Sequence, residues 1–361
     1  MLFRSGTLDP RPSTLDLQPA TNWLSVSLDL TALNRAFGLG WALPANCPRI
    51  ELHTTGDGQS VSTRGGLELT IPPAIQLQPW NIPTNLIHDP ITSFAACRVG
   101  SPLLESLPMW ARLALGRAPS QFYIWSQVGL PFQTYIAAPV PGATERLAEL
   151  GARLTAQNAW LATNGLGRFT NATDGKIDWA DMMIMEPWIE ARPQPAGEWI
   201  AAGCFTITRT NRPPPSDLLT QFQNSADIVY YDWEITEDRI QDWLYIGQLL
   251  RIALNQAQVP PQSVGIKWLT ALGSHLGNCG TSIQLRGPGR FVINRRSSCG
   301  FSAAELHLIA DWVESPRFPT GLYSRLAPPD VFTRKNMQKM ARHIPNSATN
   351  SPGTNAAPNM R

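Results

Sequence analysis

The sequence predicts an α+β fold in which repeated strand–helix–hairpin–helix units form antiparallel sheet, with helices packed on one face. Several short segments alternate between apolar and polar residues and pair around Gly-containing turns, which is typical of half-buried hairpins. Capping residues then precede stripes of apolar residues at helical spacing. The 361 residues are 43% hydrophobic and 16% charged, as expected for a globular protein with a large core.

The first copy of the predicted unit is short. Residues 23–30, WLSVSLDL, alternate as a strand, and residues 31–37, TALNRAF, follow as a brief helix. A hairpin is predicted over residues 49–65, with its turn near Gly56-Asp57-Gly58. This copy has no closing helix.

The second copy begins with a strand at residues 91–98 and continues with a helix at residues 101–116. A hairpin over residues 121–140 and a closing helix over residues 142–154 complete it. Beyond it, the pattern predicts a hairpin in RFTNATDGKIDW, a short helix near residues 181–190 and a strand in WIAAGCFTIT.

The third copy is the clearest. DIVYYDWEI alternates as a strand, with Tyr231 and Trp233 on its core face, and Thr236 then stands where a helix N-cap belongs. A second helix over residues 261–276 leads to a hairpin around Gly287-Pro288-Gly289. Ser302 and Glu305 have the spacing of a capping box and predict the start of the closing helix.

Three prolines at residues 213–215 place the boundary between two α+β units near residue 210. We therefore predict four parts, which are a flexible arm, a first unit with two copies, a second unit with one copy, and a disordered basic tail. Their bounds are residues 1–20, 21–210, 211–316 and 317–361.

The composition argues against several classes of function. Walker, Rossmann, nucleophile-elbow, HExxH and CxxC motifs are missing, so we expect no cofactor. Outside the tail the charges nearly balance, which argues against nucleic-acid binding. No apolar stretch reaches the ~18 residues of a membrane-spanning helix.

The tail contains one patterned segment, residues 331–344. Its methionines and Ile344 follow helical spacing beside four basic residues, which predicts a basic amphipathic helix for a membrane surface or an acidic partner. A solvated tail is the alternative.

The strongest catalytic candidates are Asp232 and Glu234. Alternate residues of a strand lie ~6.5 to 7 Å apart, a spacing at which two carboxyl groups can share glycoside hydrolysis. An outward-facing acidic strand edge before a capped helix is the structural alternative. His88 is a further candidate as a general base beside Asp89, although a turn in which Asp89 binds the backbone before Pro90 explains the same residues.

The five scattered cysteines form no disulfide framework of the small secreted type. Pairing of the third hairpin about Pro288 puts Cys279 and Cys299 diagonally across its base. His275 lies one helical turn before Cys279, so a zinc site can be imagined there. Free buried thiols, a Cys279–Cys299 disulfide and a metal site all remain open.

The stretches PWNIPTNLIHDP and YYDWEIT resemble segments of long uncharacterised bacterial proteins that repeat a strand–helix–hairpin plan and are often associated with the cell envelope. The resemblance covers roughly residues 20–315 and implies no activity. It implies a periplasmic or envelope location, although the first twenty residues contain no continuous apolar segment typical of an export signal.

Together these observations favour a non-catalytic binding or scaffold protein at the bacterial cell envelope, with an unidentified protein or envelope component as its partner. A carbohydrate-active hydrolase using the acidic face of Asp232 and Glu234 is the alternative.

Overall fold

The computed structural model describes most of the chain between residues 22 and 319. The described residues are 22, 24–37, 47–69, 76–98, 118–128, 133–163, 165–170, 175–181, 185–194, 197–207, 212–223, 225–253, 263–315 and 318–319. The predicted arm at 1–20, the helix at 101–116 and the segment at 331–344 lie outside these residues.

The described part of the chain contains thirteen strands and seven helices. In chain order they are β1 (Leu24–Leu28), α1 (Leu30–Phe37), β2 (Ile50–Gly56), β3 (Val61–Glu68), β4 (Ile91–Arg98), β5 (Gln121–Gln127), β6 (Thr134–Pro139), α2 (Ala143–Thr155), α3 (Asn158–Thr163), β7 (Arg168–Thr170), β8 (Lys176–Ala180), β9 (Trp188–Gln194), β10 (Gly197–Gly203), α4 (Ser216–Gln223), β11 (Ile228–Ile235), α5 (Thr236–Ala253), α6 (Val264–Gly273), β12 (Asn278–Leu285), β13 (Arg290–Ser297) and α7 (Ala303–Val313).

All thirteen strands belong to one sheet. Its order is β1-β2-β3-β13-β12-β11-β4-β5-β6-β10-β9-β8-β7, and every neighbouring pair is antiparallel. The large antiparallel sheet of an α+β protein is therefore confirmed. Strands from both sides of residue 210 pair directly, since β13 lies beside β3 and β11 beside β4. The division into two α+β units near residue 210 stays a prediction.

One face of the sheet carries an aromatic core. Trp233 of β11 lies opposite Phe94 of β4, which lies opposite Trp125 of β5, and Trp125 lies opposite Tyr135 of β6. All four side chains are buried. Helix α4 and the extended segment around residues 80–87 cover this face. The row continues at Gly203, where the rings of neighbouring aromatic residues fill the space that a Cβ atom would take.

Helices α2, α5 and α7 lie on the opposite face, and α6 packs against α5 and α7. Helix α2 packs Leu147 and Leu150 against Ile200 of β10. Helices α5, α6 and α7 share a separate core that includes Ile240, Leu269 and Leu306, one from each helix. Helix α7 begins at the predicted capping box, with the Ser302 hydroxyl accepting from the Glu305 N–H and the Glu305 carboxylate accepting from the Ser302 N–H.

Three expectations need correction. Helices do not lie on one face alone, because Leu218 of α4 joins the aromatic core on the other face. The predicted helix near residues 181–190 is wrong from Trp188 onward, where β9 begins with aliphatic and aromatic residues that pair on both sides. The predicted tail also begins too early, since the Phe318 ring packs against Trp312, with ring centroids 5.0 Å apart.

Candidate functional site

The predicted acidic pair lies in the middle of the sheet. Strand β11 pairs with β12 on one side and β4 on the other, so Asp232 and Glu234 do not lie on an edge strand. Their side chains point away from the aromatic core because Tyr231 and Trp233 alternate with them. Helix α7 covers this face, so the expectation that it faces outward is wrong for Glu234, which is only 5% exposed.

The Glu234 carboxylate is bound to the N-terminus of α7. Its Oε1 atom accepts a hydrogen bond of 2.6 Å from the backbone N–H of Ala303. The same atom accepts from the Thr236 hydroxyl at 3.3 Å. An N–H in the first turn of a helix has no partner within the helix, and negative charge is favourable there. Glu234 therefore caps a helix that begins 69 residues further along the chain.

Asp232 is half-buried beside Glu234, and its charge is poorly compensated. Burial raises the pKa of the Asp232 carboxyl to about 7, and the negative charge of Glu234 adds to the rise. The guanidinium groups of Arg295 and Arg239 oppose it. Burial also raises the pKa of Glu234, while its bond from Ala303 lowers it. Raised carboxyl pKa values are frequent at catalytic sites, but structural clusters produce them too.

Arg295 connects the sheet to α7. It extends from β13 and donates from Nε to the Thr281 hydroxyl at 3.0 Å, and from a terminal nitrogen to Glu305 at 2.5 Å. Glu305 is the residue whose carboxylate completes the capping box at Ser302. The start of α7 is thus held by Glu234 from β11 and by Arg295 from β13.

Helix α5 is attached to the same face by Arg239. Its guanidinium donates to the Ser126 hydroxyl of β5 at 3.2 Å and to Asp242 at 3.4 Å, and it lies 5.5 Å from the centre of the Trp243 ring. Within the described residues, its buried Nε atom has no hydrogen-bond partner. The bonds made by Glu234, by Arg295 and by Arg239 to Ser126 each join one element of the protein to another.

Chemically, this arrangement suits a structural cluster better than a hydrolytic one. A glycosidase needs two carboxyl groups that reach a substrate and a water from an open cleft. Here the Glu234 carboxylate already accepts two hydrogen bonds and lies beneath α7.

His88 does not join the acidic pair. It precedes β4, and its backbone carbonyl accepts from the Gln127 side chain at 3.0 Å. The Asp89 carboxylate binds the backbone, since it accepts from the Ile91 N–H across Pro90 at 3.3 Å. This is the turn that the alternative interpretation predicted.

The hairpin of β12 and β13 has the predicted register, with Gly280 opposite Arg296. All five cysteines have free thiols, including Cys279 and Cys299. Burial raises the pKa of the Cys279 thiol to about 12 and also raises that of Cys299. Among the residues described, no group of three or more His, Cys, Asp or Glu side chains is placed to hold a metal ion, so His275 does not assemble with the two cysteines. His307 pairs with Asp311 at 3.6 Å.

Two features of the structure were not predicted from the sequence. One is a cleft of about 460 Å³ on the aromatic face, lined by Lys176, Trp188, Glu190, Arg192, Thr206 and Ile207. The other is Arg98, which is only 4% exposed, lies 4.6 Å from the centre of the Trp80 ring, and donates to the backbone carbonyls of Gln78, Ala226 and Ile228. The alternating pattern of β4 gave no signal for Arg98, because its partners are carbonyls of distant segments.

Comparison with known proteins identifies no relative. No protein-family model matches the chain, and no curated protein matches it. Crystal forms I and III of TP0453 overlap 66% and 64% of this chain, and 100% and 98% of their own, with 9% identity in both cases. The TM-scores are 0.32 and 0.28, too low to support a shared fold or function. None of the described helices is long and apolar enough to cross a membrane.

Proposed function

We propose that this protein is a non-catalytic scaffold that binds a protein partner through its extended sheet. The observation that carries the proposal is the bond between the Glu234 carboxylate and the Ala303 N–H, because it commits the best catalytic candidate to holding α7. The same bond weakens the alternative of a carbohydrate-active hydrolase, for which Asp232 and Glu234 were the main candidates.

Hydrolysis assays test this proposal. We expect the wild type, Asp232→Asn and Glu234→Gln to be equally inactive on a panel of aryl glycosides and polysaccharides. Glu237→Gln is a matched control, because Glu237 is an exposed carboxylate in the first turn of α5. Hydrolysis by the wild type and by Glu237→Gln, but not by a folded Glu234→Gln variant, would overturn the proposal.

The scaffold is built, in this proposal, from three copies of a strand–helix–hairpin unit. Support comes from the sheet order, in which β1-β2-β3, β13-β12-β11 and β4-β5-β6 each form a continuous group of three strands. Strands β1 and β11 are each followed at once by a helix, α1 and α5. Repeated units of this kind can extend a sheet one unit at a time, since each unit packs against its neighbours.

We place the scaffold at the bacterial cell envelope, on the basis of the resemblance described above. Fractionation of native cells tests the location, with a periplasmic and a cytoplasmic marker protein as controls. The protein is expected in the envelope or periplasmic fraction, and recovery with the cytoplasmic marker alone would contradict the location without affecting the scaffold function.

A further inference from the structure

The two edges of the sheet differ in how they are protected. Within the described residues, β1 pairs with β2 alone and β7 pairs with β8 alone. Strand β7 has only three residues and begins with Arg168, whose guanidinium binds Asp181 at 3.2 Å. Shortness and charge are two devices by which proteins prevent edge strands from pairing with other chains.

Strand β1 has neither device. Its five residues, Leu24-Ser25-Val26-Ser27-Leu28, contain no charge, no proline and no glycine. Leu24 is 47% exposed. An uncharged edge strand of this kind presents unpaired backbone groups and is a template for another strand.

The sequence of β1 reads the same in both directions. If two copies pair antiparallel about a twofold axis through Val26, Leu24 of each lies opposite Leu28 of the other, and Ser25 lies opposite Ser27. Val26 lies opposite itself. A shift of one residue would put leucine opposite serine, and a shift of two residues would leave part of each strand unpaired, so the alignment about Val26 is favoured.

The faces of two copies also match. Val26 lies opposite Leu52 and Leu28 opposite Ile50, so the apolar side of β1 continues an apolar, half-buried face of β2. A twofold axis perpendicular to the sheet keeps this face on the same side in both copies. The apolar surfaces of the two copies then join, which extends the burial of apolar area beyond the paired strands.

The serine hydroxyl groups of β1 already have hydrogen-bond partners in their own chain. The Ser27 hydroxyl donates to Glu51 at 2.6 Å, and the Ser25 hydroxyl lies 3.1 Å from His53 Nδ1. Pairing with a second copy therefore leaves no serine hydroxyl without a partner on that face.

We propose that β1 is a dimerisation edge at which a second copy of this chain pairs antiparallel through Leu24–Leu28. The inference rests on the proposed scaffold function, because it names the partner that the sheet binds. The resulting dimer has one continuous sheet, formed by joining two copies of the thirteen-stranded sheet at their β1 edges.

Charge substitutions at Val26 test this proposal by light scattering coupled to size-exclusion chromatography and by sedimentation equilibrium. The wild type is expected to be a dimer. Val26→Lys and Val26→Glu each put two like charges on the axis, and each should weaken dimerisation by about tenfold or more. An equimolar mixture of the two variants should recover a dimer containing one copy of each, because the charges then attract.

Val264→Lys is the matched control, since Val264 is 75% exposed on α6, and it should remain as dimeric as the wild type. The recovered mixed dimer also shows that both Val26 variants are folded. A wild type that stays monomeric at about 100 μM, or a mixture that does not associate, overturns the proposal. The hydrolysis assays test the scaffold function separately. A monomeric protein without hydrolytic activity would contradict only the proposed dimer. A dimeric protein that hydrolyses glycosides would contradict only the proposed scaffold function.

Discussion

The two faces of β11 come from the same eight residues but are stabilised in different ways. On one face, Tyr231 and Trp233 belong to a continuous aromatic core that crosses six strands. On the other, Asp232 and Glu234 lie in a polar cluster beneath α5 and α7. Burial of apolar area stabilises the first face without requiring specific partners, whereas each buried charge on the second requires a hydrogen bond or an opposite charge.

Only one carboxyl group of this pair positions a helix. The Glu234 carboxylate accepts a backbone N–H from α7, and this bond opposes the rise that burial causes in its pKa. Burial and the charge of Glu234 disfavour the ionised form of Asp232, and no donor among the described residues offsets them with a hydrogen bond. Replacing the two side chains is therefore expected to have opposite effects on stability, because only Glu234 holds the N-terminus of α7.

The largest effect is expected on the aromatic face. Trp125 is fully buried, and its ring centroid lies 5.5 Å from that of Tyr135. Trp125→Ala should lower the free energy of unfolding by about 3–5 kcal/mol, because it leaves a cavity in the core. Denaturant unfolding followed by circular dichroism measures this change. Trp160→Ala is the control, since Trp160 is 58% exposed and its replacement should cost about 0.5 kcal/mol or less.

A conservative replacement sharpens this prediction. The buried Nε1 atom of Trp125 has no hydrogen-bond partner among the residues that the structure describes. Trp125→Phe removes this unpaired donor along with part of the ring, so it should cost much less than Trp125→Ala. Equal costs for the two variants would show that the ring volume does not determine the stability of this face.

The aromatic face was predictable from sequence because strand alternation depends only on neighbouring residues. Tyr231 and Trp233 were assigned correctly to a core face by their spacing. The capping box of Ser302 and Glu305 was equally predictable, since both partners lie within one helical turn. Local patterns of this kind also gave most of the hairpins.

The polar face was not predictable, because its partners are distant in sequence. Alternation assigned Glu234 to solvent, and nothing near it indicates that α7 begins above it, 69 residues later. Arg98 is a stronger example, since its Nε atom donates to the carbonyl of Ile228, 130 residues away. The order of the strands, with β3 beside β13, depends on similar long-range contacts.

The next largest effect on stability is expected at Glu234. Glu234→Ala should lower the free energy of unfolding by about 2–3 kcal/mol, because the buried Ala303 N–H loses a charged acceptor. Glu234→Gln should cost less, since the amide oxygen can still accept the same bond. Thermal and denaturant unfolding measure both variants.

Glu237→Ala provides the comparison for this series, because Glu237 is exposed one residue after Thr236. It should change the free energy of unfolding by about 1 kcal/mol or less, through the dipole of α5 alone. If Glu234→Ala were no more destabilising than Glu237→Ala, the cap on α7 would contribute nothing to stability.

The smallest effect is expected for Asp232, with the opposite sign. The folded protein holds the Asp232 proton up to about pH 7, whereas the unfolded chain releases it near its ordinary pKa of 3.8. The unfolded state then binds fewer protons between these values, so ionisation of Asp232 lowers stability as the pH rises through this window. Asp232→Asn removes the titration and should therefore stabilise the protein by about 1–2 kcal/mol at pH 8, and by less at pH 4.

The measurement is the free energy of unfolding of Asp232→Asn minus that of the wild type, at several pH values between about 4 and 8. Other groups titrate in both proteins, so most of their contribution cancels in this difference. The groups that influence Asp232 are Glu234, Glu305, Arg239 and Arg295. Asp57→Asn is a control of reversed sign, because hydrogen bonds from the backbone of Gln59 and Ser60 lower the pKa of Asp57 to about 2. Its replacement should destabilise the protein near neutral pH, and this cost should shrink as the pH falls below 4. If Asp232→Asn followed the same trend as Asp57→Asn, the ionised form of Asp232 would be stabilising, contrary to the raised pKa of this carboxyl.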